Sequence, residues 1–220
     1  MADGRSVIDG AFRLLRALPD AGAERQVARL TMLTGLPRPT VHRLLGQLAE
    51  AGSVEWRDGR WVLAAGLIEL AQRVEPLAGL RRTASTLIQE VREQTGAAVS
   101  LVVPGGDAFV ALEMLPGRAE LPIAAHAGVP MPASTAAGIA LTGAPGPRCR
   151  PFGAAVDDQD SFEGMTCYAV RVELPGLQRA ALQIATSSAR PAERSAALVH
   201  RAAIELQRRL SSMLPADPNK

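Results

Sequence analysis

The residue types best suited to chemistry stand together between residues 38 and 47, where Thr40, His42 and Arg43 follow one another closely. An arginine side chain can donate two hydrogen bonds to guanine O6 and N7, and a threonine can contact a phosphate or a thymine methyl group. A histidine can make either kind of contact. This combination is therefore typical of a surface that reads the edges of DNA bases.

These residues lie on a predicted helix from Arg38 to Ala51. Its apolar residues recur at i, i+3, i+4 and i+7, which predicts one buried stripe. The stripe consists of Val41, Leu44, Leu45 and Leu48. Helical geometry turns the remaining side chains outward. The predicted exposed face consists of Pro39, Thr40, His42, Arg43, Gly46 and Gln47.

Two shorter helices are predicted before this one. Apolar spacing predicts the first over residues 7–18, and Ser6 followed by Asp9 resembles a capping box at its start. The second runs from Val27 to Thr34 and ends at Gly35, because glycine adopts the left-handed conformation without steric cost. A tight turn therefore joins the second and third helices.

A hairpin is predicted after the third helix. The runs 53–56 and 60–63 flank Asp58-Gly59, a strong turn signal. Three helices followed by such a wing predict a winged helix-turn-helix, which places its third helix in the DNA major groove. In this arrangement Arg38 points towards a phosphate, and Arg57 and Arg60 meet the backbone or the minor groove.

The predicted DNA-binding set has ordinary alternatives for each member. Any one arginine could be a solvated surface charge, and His42 could pair with a nearby carboxylate. Their occurrence on one motif favours DNA. The predicted set is Arg38, Pro39, Thr40, His42, Arg43, Gln47, Arg57 and Arg60.

Composition sets the remaining bounds. The 220 residues allow two domains, and the net charge of +2 does not by itself indicate a nucleic-acid partner. Lys220 is the only lysine among 24 basic residues, a bias that also follows from a GC-rich genome. The spacing of Cys149 and Cys167 predicts neither a disulfide framework nor a zinc site, so no cofactor or metal is expected. The N-terminus lacks a signal-peptide pattern, and prolines interrupt the uncharged stretch 121–147, so a cytoplasmic location away from membranes is expected.

A linker is predicted after the wing. Leucines and a valine alternate in steps of four and three, the seam of a paired helix, at Leu63, Leu67, Leu70, Val74 and Leu77. Pro76 interrupts this seam and is the predicted hinge. A further helix restarts the stripe over residues 77–95, and this stripe either pairs with another helix or packs within its own chain. The predicted boundaries are 1–64 for DNA binding, 65–76 for the linker helix and 77–220 for the second domain.

Beyond Gly96 the spacing of apolar residues changes from the 3.6-residue period of a helix to the two-residue period of a strand. Strands are predicted at 97–103, 108–115, 120–125, 165–173 and 178–186, with Pro175-Gly176 joining the last two. Helices are predicted at 133–141 and 191–213, the second beginning with a proline. This mixture predicts an α+β fold.

The sequence resembles the IclR family of bacterial transcription regulators. The resemblance is dense in the first 75 residues, in Leu30-Thr31-x-Leu33-Thr34-Gly35-Leu36-Pro37-Arg38-Pro39-Thr40-Val41-His42-Arg43-Leu44-Leu45 and Trp61-x-Leu63-x-x-Gly66-x-x-x-x-Leu70-Ala71. It is thinner later, in Ser134-Thr135-Ala136-x-Gly138, Phe152-Gly153, Glu163-Gly164-Met165-x-Cys167-x-Ala169 and Leu182-x-Ile184. It implies a GAF-like antiparallel sheet with flanking helices, a small-molecule pocket, and dimers that can pair into tetramers.

The chain departs from the family pattern at two places. The segment Thr142–Pro151 is short where the family carries an additional helical segment over the pocket, and Val170-Arg171-Val172 places a charge in an apolar strand. An apolar pocket with few polar anchors suits a small aromatic or aliphatic effector. The predicted lining is Leu101, Val103, Met114, Ala125, Ser134, Thr135, Cys167 and Ala169, although each could equally belong to a filled core.

Three functions are carried forward. The leading hypothesis is a homodimeric regulator that binds double-stranded DNA at a palindromic or pseudo-palindromic operator and senses a small-molecule effector. In the second, the C-terminal domain oligomerises and binds no ligand. The third is an enzyme with Cys167 as nucleophile, His126 as base and Asp157 as the orienting acid.

Overall fold

The chain divides into two compact units, Met1–Glu75 and Pro76–Lys220. The structure is a computed structural model that describes residues 6–74, 77–106, 108–143, 145–174 and 179–212, without the side chains of 77 and 78. The predicted hinge at Pro76 and the predicted hairpin connection at Pro175-Gly176 lie outside the described residues.

The first unit begins with three helices, α1 (Val7–Ala17), α2 (Gln26–Thr34) and α3 (Arg38–Glu50). The predicted helices are confirmed to within a few residues at their ends. Gly35 has φ 64° and ψ 17°, the left-handed conformation expected at the end of α2. Ser6 accepts a hydrogen bond from the Ile8 amide at 3.3 Å.

The start of α1 differs from the predicted capping box in one respect. Asp9 forms an ion pair with Arg13, one turn later, at 3.2 Å. Arg13 in turn donates from Nη1 to the Thr34 carbonyl at 2.8 Å. This contact ties α1 to the C-terminal end of α2, which fixes the turn that leads into α3.

The core of the first unit lies between the three helices and the first strand. The predicted stripe of α3 is confirmed, because Val41, Leu44, Leu45 and Leu48 are all buried. They pack with apolar residues of α1, α2 and the turns between them, namely Leu14, Leu18, Ala21, Leu30, Leu36 and Val54. Burial of one leucine contributes about 1.5–3 kcal/mol, so this contact fixes the rotation of α3 about its axis.

The predicted wing is confirmed as β1 (Val54–Arg57) and β2 (Arg60–Leu63). Asp58 and Gly59 have φ 51° and 78°, and two such values in succession are typical of a type I′ turn. Trp56 and Trp61 face each other across the hairpin with ring centroids 5.3 Å apart, in an edge-to-face arrangement.

Gln26 attaches the wing to the helices. Its Nε2 donates to the Trp61 carbonyl and its Oε1 accepts from the Trp61 amide, both at 2.8 Å. The side chain is buried and therefore makes both bonds away from bulk water. The side-chain amide of Gln26 thus satisfies both backbone groups of Trp61, on the side of β2 that does not pair with β1.

The linker helix predicted over residues 65–76 is shorter in the structure. Leu63 belongs to β2, where it pairs with Val54, and the helix that follows, α4 (Gly66–Ala71), has only six residues. The backbone of Gly66 lies so close to Gly52 that a Cβ would come within 2.5 Å of the Gly52 carbonyl oxygen. Strand pairing and this close approach prevent the helix from starting at Leu63.

In the described part of the second unit, seven strands form one antiparallel sheet in the order β5-β4-β3-β9-β8-β7-β6. This confirms the predicted α+β fold. The elements in chain order are α5 (Leu77–Thr95), β3 (Ala98–Gly105), β4 (Ala108–Leu115), β5 (Pro130–Met131), α6 (Ala136–Thr142), β6 (Cys149–Arg150), β7 (Ala154–Asp158), β8 (Met165–Glu173), β9 (Arg179–Ser187) and α7 (Ala196–Ser212).

The sheet separates two cores. Helices α5 and α7 cover one face, where Leu80, Ile88, Leu182 and Leu206 are almost fully buried. Helix α6 covers the other face, which is built largely from alanine and methionine. Small side chains there allow α6 to lie close to the strands.

Two parts of the predicted sheet need correction. Residues 120–125 form a loop, since Pro122 lacks an amide hydrogen for a ladder, and the short strand β5 pairs with β4 instead. Strand β6 lies in the short segment Thr142–Pro151, and β7 follows it. The sequence pattern did not predict them, because prolines and glycines interrupt the apolar spacing there.

The stripe of α5 packs within its own chain. Leu80, Ala84, Leu87 and Val91 are buried against the sheet and α7. The side chain of Leu77 lies outside the described residues. Of the two interpretations of this stripe, packing within one subunit is the correct one for these four residues.

We expect Gln26→Leu to lower the free energy of unfolding of the first unit by about 1–3 kcal/mol, because it leaves the Trp61 amide and carbonyl without partners. Gln47→Leu makes the same change on the exposed face of α3 and is expected to stay within about 0.5 kcal/mol of wild type. Both tryptophans of the chain lie in the wing, so tryptophan fluorescence during urea unfolding reports this unit. Equal stability of the two variants would show that Gln26 does not hold the wing.

Candidate DNA-binding surface and candidate effector pocket

Helix α3 presents a continuous polar surface. Arg38, Pro39, His42, Arg43 and Gln47 are exposed. Thr40 is half-buried at the same end of the helix. The structure therefore brings together all the residues predicted on this helix, along one side of it.

Arg43 and Gln47 are linked across one helical turn. Arg43 Nη1 donates to Gln47 Oε1 at 3.1 Å. The Arg43 guanidinium, held in this way, loses less side-chain entropy when it binds. Both amide and guanidinium groups can make bidentate contacts with base edges. The pair can therefore act as a single, oriented group of hydrogen-bond donors and acceptors.

The turn before α3 is held by one buried hydroxyl. Thr34 Oγ1 donates to the Leu30 carbonyl at 2.6 Å and accepts from the Leu36 amide at 3.3 Å. On the other side of α3, a Cβ at Gly10 would come within 3.2 Å of Leu44, so α1 passes close beneath the helix. These contacts fix where the exposed face points.

The wing carries the two other predicted arginines. Arg57 is exposed and forms an ion pair with Glu55 on the same strand. Arg60 is exposed and, within the described part of the chain, has no ion-pair partner. Arg60 is therefore the freer of the two positive charges on this hairpin.

A concave surface of about 370 Å³ connects the start of α3 with the wing. Arg38 and Arg25 contribute positive charge to it, and Trp56 and Gly59 come from the hairpin. Arg25 was missed by the sequence analysis. It lies directly before α2 with φ 49°, a left-handed conformation that no local pattern announces.

The eight predicted effector-binding residues do not share one site. Met114, Cys167 and Ala169 are buried on the α6 face of the sheet. Leu101 and Val103 lie in the core on the opposite face, under α5 and α7. Since side chains alternate along a strand, Leu101 and Val103 cannot line a pocket with Cys167, and their prediction was wrong in this respect.

The remaining predicted residues lie at the edges of the α6 face. Thr135 is fully buried and caps α6, accepting from the Gly138 amide at 3.3 Å and donating to the Pro132 carbonyl at 2.8 Å. Ser134 is exposed and accepts a hydrogen bond from Ser161 at 3.0 Å. Ala125 is half-buried.

An open groove of about 400 Å³ lies beside this face, and we call it the loop groove. It is formed by residues 116–121 with Ala98, Ile123 and Ala125. Of the eight predicted residues, only Ala125 lines it. Most of its wall is the loop that replaces the predicted strand at 120–125.

Two buried polar side chains under α6 were missed by the sequence analysis. Ser100 and Gln183 are cross-strand partners and are 2% and 1% exposed. Gln183 Oε1 accepts from the Ala137 amide at 2.8 Å. Strand periodicity gives no signal for them, because each lies in a mainly apolar run.

The arginine that breaks the apolar strand is accommodated by glycine. Arg171 forms an ion pair with Glu173 at 2.7 Å. A Cβ at Gly153 would come within 3.3 Å of the Arg171 side chain, and one at Gly143 within 3.3 Å of its Nη1. The positive charge is thus held over two glycines, outside the α6 core.

The residues proposed for cysteine chemistry do not form a site. Burial, together with a smaller effect of the nearby Asp157 carboxylate, raises the pKa of the Cys167 thiol to about 12, so the thiol stays protonated. Asp157 Oδ1 accepts hydrogen bonds from the Asp160 and Ser161 amides at 3.1 and 3.2 Å. His126 is exposed in a loop and contacts the neighbouring Ala127 carbonyl.

Among the described residues, no group of three or more histidine, cysteine, aspartate or glutamate side chains could hold a metal ion. No helix in the same part of the chain has the length and apolarity needed to cross a membrane.

Comparison with known proteins agrees with the geometry of the first unit. Residues 7–58 match the IclR helix-turn-helix domain. The HTH-type transcriptional regulator KipR of Bacillus subtilis is 29% identical over 93 residues, which span 41% of this chain and 37% of KipR.

Solved structures resemble the whole chain. An IclR homologue from Microbacterium hydrocarbonoxydans, complexed with 4-hydroxybenzoate, has a TM-score of 0.75 at 19% identity, covering 94% of this chain and all of the other. The Thermotoga maritima IclR has a TM-score of 0.65 at 18% identity, covering 92% and 98%. These likenesses establish the fold of both units. Residues 7–58 therefore match the IclR helix-turn-helix domain, and the chain as a whole has the fold of the IclR structures.

Proposed function

We propose that the protein is a homodimeric, sequence-specific transcription regulator whose second unit binds a small-molecule effector. The observation that carries this proposal is the exposed face of α3, where His42, Arg43 and Gln47 stand opposite four buried apolar side chains. A major groove about 12 Å wide admits a helix presenting such a face.

Each residue of α3 has a role that follows from its place. Arg43 donates to guanine O6 and N7, and Gln47 extends the same row of donors and acceptors one turn further along. Thr40, at the N-terminal end, reaches a phosphate or a thymine methyl group. His42 contacts a base edge or a phosphate from the neighbouring position, and Pro39 packs against the sugar-phosphate backbone.

Positive charge beside α3 positions the protein on the duplex. Arg38 and Arg25 line the concave surface between α3 and the wing, where a phosphate strand fits. Arg57 and Arg60 extend this charge to the hairpin, which meets the backbone or the minor groove. These contacts contribute affinity on any sequence, whereas Arg43 contributes selectivity.

Unpartnered apolar surface supports the homodimer. In the described part of the first unit, large apolar side chains are exposed on α1 and on and around α4. They include Val7, Ile8, Phe12, Leu63, Ile68, Leu70 and Val74. A second copy can cover them and place the two α3 helices about 34 Å apart, one turn of DNA. Such a dimer binds a palindromic or pseudo-palindromic operator, and two dimers can pair into a tetramer.

The effector site is proposed on the α6 face of the second unit. The loop groove supplies apolar side chains together with Arg118 and Glu120, and Ser100 and Gln183 are buried polar side chains beneath α6. The 4-hydroxybenzoate bound by the Microbacterium hydrocarbonoxydans homologue makes a small aromatic acid the first ligand to test. Binding regulates the protein only if the ligand favours one spacing of the two DNA-binding units over another.

A second candidate function keeps the DNA-binding unit but gives the C-terminal unit no ligand. It is favoured by the close packing under α6, where Thr135, Cys167 and Ala169 are buried to within 1%. In either case we propose that the protein acts in the cytoplasm, where its two cysteines stay reduced.

Arg43→Ala is expected to weaken binding to the specific site by about 1–3 kcal/mol while leaving binding to random DNA nearly unchanged. Arg57→Ala is expected to weaken binding to all sequences and to reduce the slope of log K against log salt by about one. Arg82→Ala, an exposed arginine on α5 of the second unit, removes the same charge and serves as the control. Equal losses on specific and random DNA for Arg43→Ala would contradict its role in base recognition.

Effector binding is expected to raise the melting temperature of the second unit. A ligand at a hundred times its dissociation constant adds about 2.7 kcal/mol to stability. We expect this response to 4-hydroxybenzoate or to a related small acid, its loss in Ala119→Trp, which fills the loop groove, and its retention in Ala124→Trp, on an exposed alanine that does not line the groove. A flat response across a panel of aromatic and aliphatic metabolites would support the oligomerisation module instead.

A further inference from the structure

A second groove, of about 680 Å³, lies on the opposite face of the sheet from the loop groove, and we call it the α7 groove. It runs between α7 and the edge of the sheet. Its walls are Arg150, Pro151, Phe152, Tyr168, Val170, Ala196, His200, Ala203, Ile204 and Gln207, with Arg171 at one end. We propose that the α7 groove binds a flat, apolar carboxylate, independently of the effector site proposed above.

The apolar part of the groove is left uncovered by the chain. Val170 and Ala203 form a buried floor, and Ile204 is 67% exposed on the α7 side. Phe152 is 89% exposed on the opposite rim. Its φ of 59° is a left-handed conformation that a bulky residue rarely adopts. The backbone thus holds an aromatic ring out beside a concave apolar surface.

Three aromatic rings form one wall. The ring of His200 meets the rings of Phe152 and Tyr168 edge-on, with centroids 6.4 and 5.9 Å apart. Such edge-to-face contacts are favourable for rings and leave their faces free to pack against a further planar group. A ligand with an aromatic ring system therefore complements this wall.

A histidine donor follows from one hydrogen bond in that wall. Tyr168 Oη lies 2.9 Å from His200 Nε2. The Tyr168 hydroxyl donates to Nε2 in one tautomer of His200 and accepts from it in the other. With Nε2 accepting, the ring proton lies on Nδ1. Among the described residues no acceptor takes that proton.

An oriented guanidinium supplies the charge. Arg150 Nε donates to Glu193 at 2.7 Å, and Nη1 donates to the Pro147 and Cys149 carbonyls at 3.0 and 3.1 Å. These bonds fix the plane of the group, while Nη2 has no partner in the part of the chain that the structure describes. Arg150 and Tyr168 both line the α7 groove. A fixed guanidinium donor and a ring N–H suit a carboxylate.

The size of the exposed apolar surface favours a small molecule over a second copy of the chain. Phe152 and Ile204 are the large exposed apolar side chains among the described residues of the second unit. A stable protein interface buries about 1,200–2,000 Å² in total, which two side chains and a concave groove do not supply. Pockets for small ligands commonly measure about 300–1,000 Å³, and the α7 groove lies within that range.

The test uses the full-length protein with 2-naphthoate as the probe, measured by isothermal titration calorimetry. We expect saturable binding, and a dissociation constant at least about tenfold higher for uncharged 2-naphthylmethanol, because one charge-assisted hydrogen bond is worth about that factor. Arg150→Met is expected to raise the dissociation constant of 2-naphthoate by a similar factor. Ile204→Trp, which fills the groove from an exposed position, is expected to do the same. Arg201→Met, an exposed arginine on α7 outside the groove, is the matched control and leaves binding unchanged.

The outcomes separate this site from the effector site. Naphthoate binding that persists in Ala119→Trp but is lost in Ile204→Trp places the ligand in the α7 groove whether or not the loop groove binds an effector. No saturable binding, or wild-type affinity in both Arg150→Met and Ile204→Trp, would overturn the proposal. A change of oligomeric state in Phe152→Ala, seen by sedimentation without any naphthoate binding, would assign the groove to a second copy and overturn it equally.

Discussion

The burial of four apolar side chains under α3 is the contact on which the rest of the DNA-binding unit depends. Val41, Leu44, Leu45 and Leu48 leave α3 only one rotation about its axis that keeps them out of water. The polar side chains face outward as a consequence. The wing is then attached to the same frame by Gln26, so base-reading and backbone-binding groups keep a fixed relation within the unit.

The second unit depends on an equivalent constraint, the alternation of side chains across its sheet. One face is filled by large aliphatic residues under α5 and α7, and the other by alanines and methionines under α6. The two faces therefore differ in chemistry, with buried amide and hydroxyl groups on one side and an aromatic-arginine groove on the other. A sheet with both faces in use can hold two separate binding sites.

Sequence patterns predicted the parts of the fold that repeat a period over several turns or strand residues. Helices α1 to α3, α5 and α7, the wing and the long strands are of this kind. The prediction failed for the length of the linker helix, because the helical stripe continues to Leu77 whereas α4 ends at Ala71. The pocket prediction failed at Leu101 and Val103 because strand parity had not been applied across the sheet. Arg25, Gln26 and Gln183 were missed because only tertiary contacts give them a role.

The central claim is that the exposed face of α3 reads DNA bases, and selection from a random pool of duplexes tests it most directly. The full-length wild-type protein should enrich one motif with two related half-sites whose centres lie about ten base pairs apart. The same selection with Arg43→Met should return that motif with one position in each half-site no longer fixed. A pool that remains random with wild-type protein, or an identical motif from both proteins, would contradict the account.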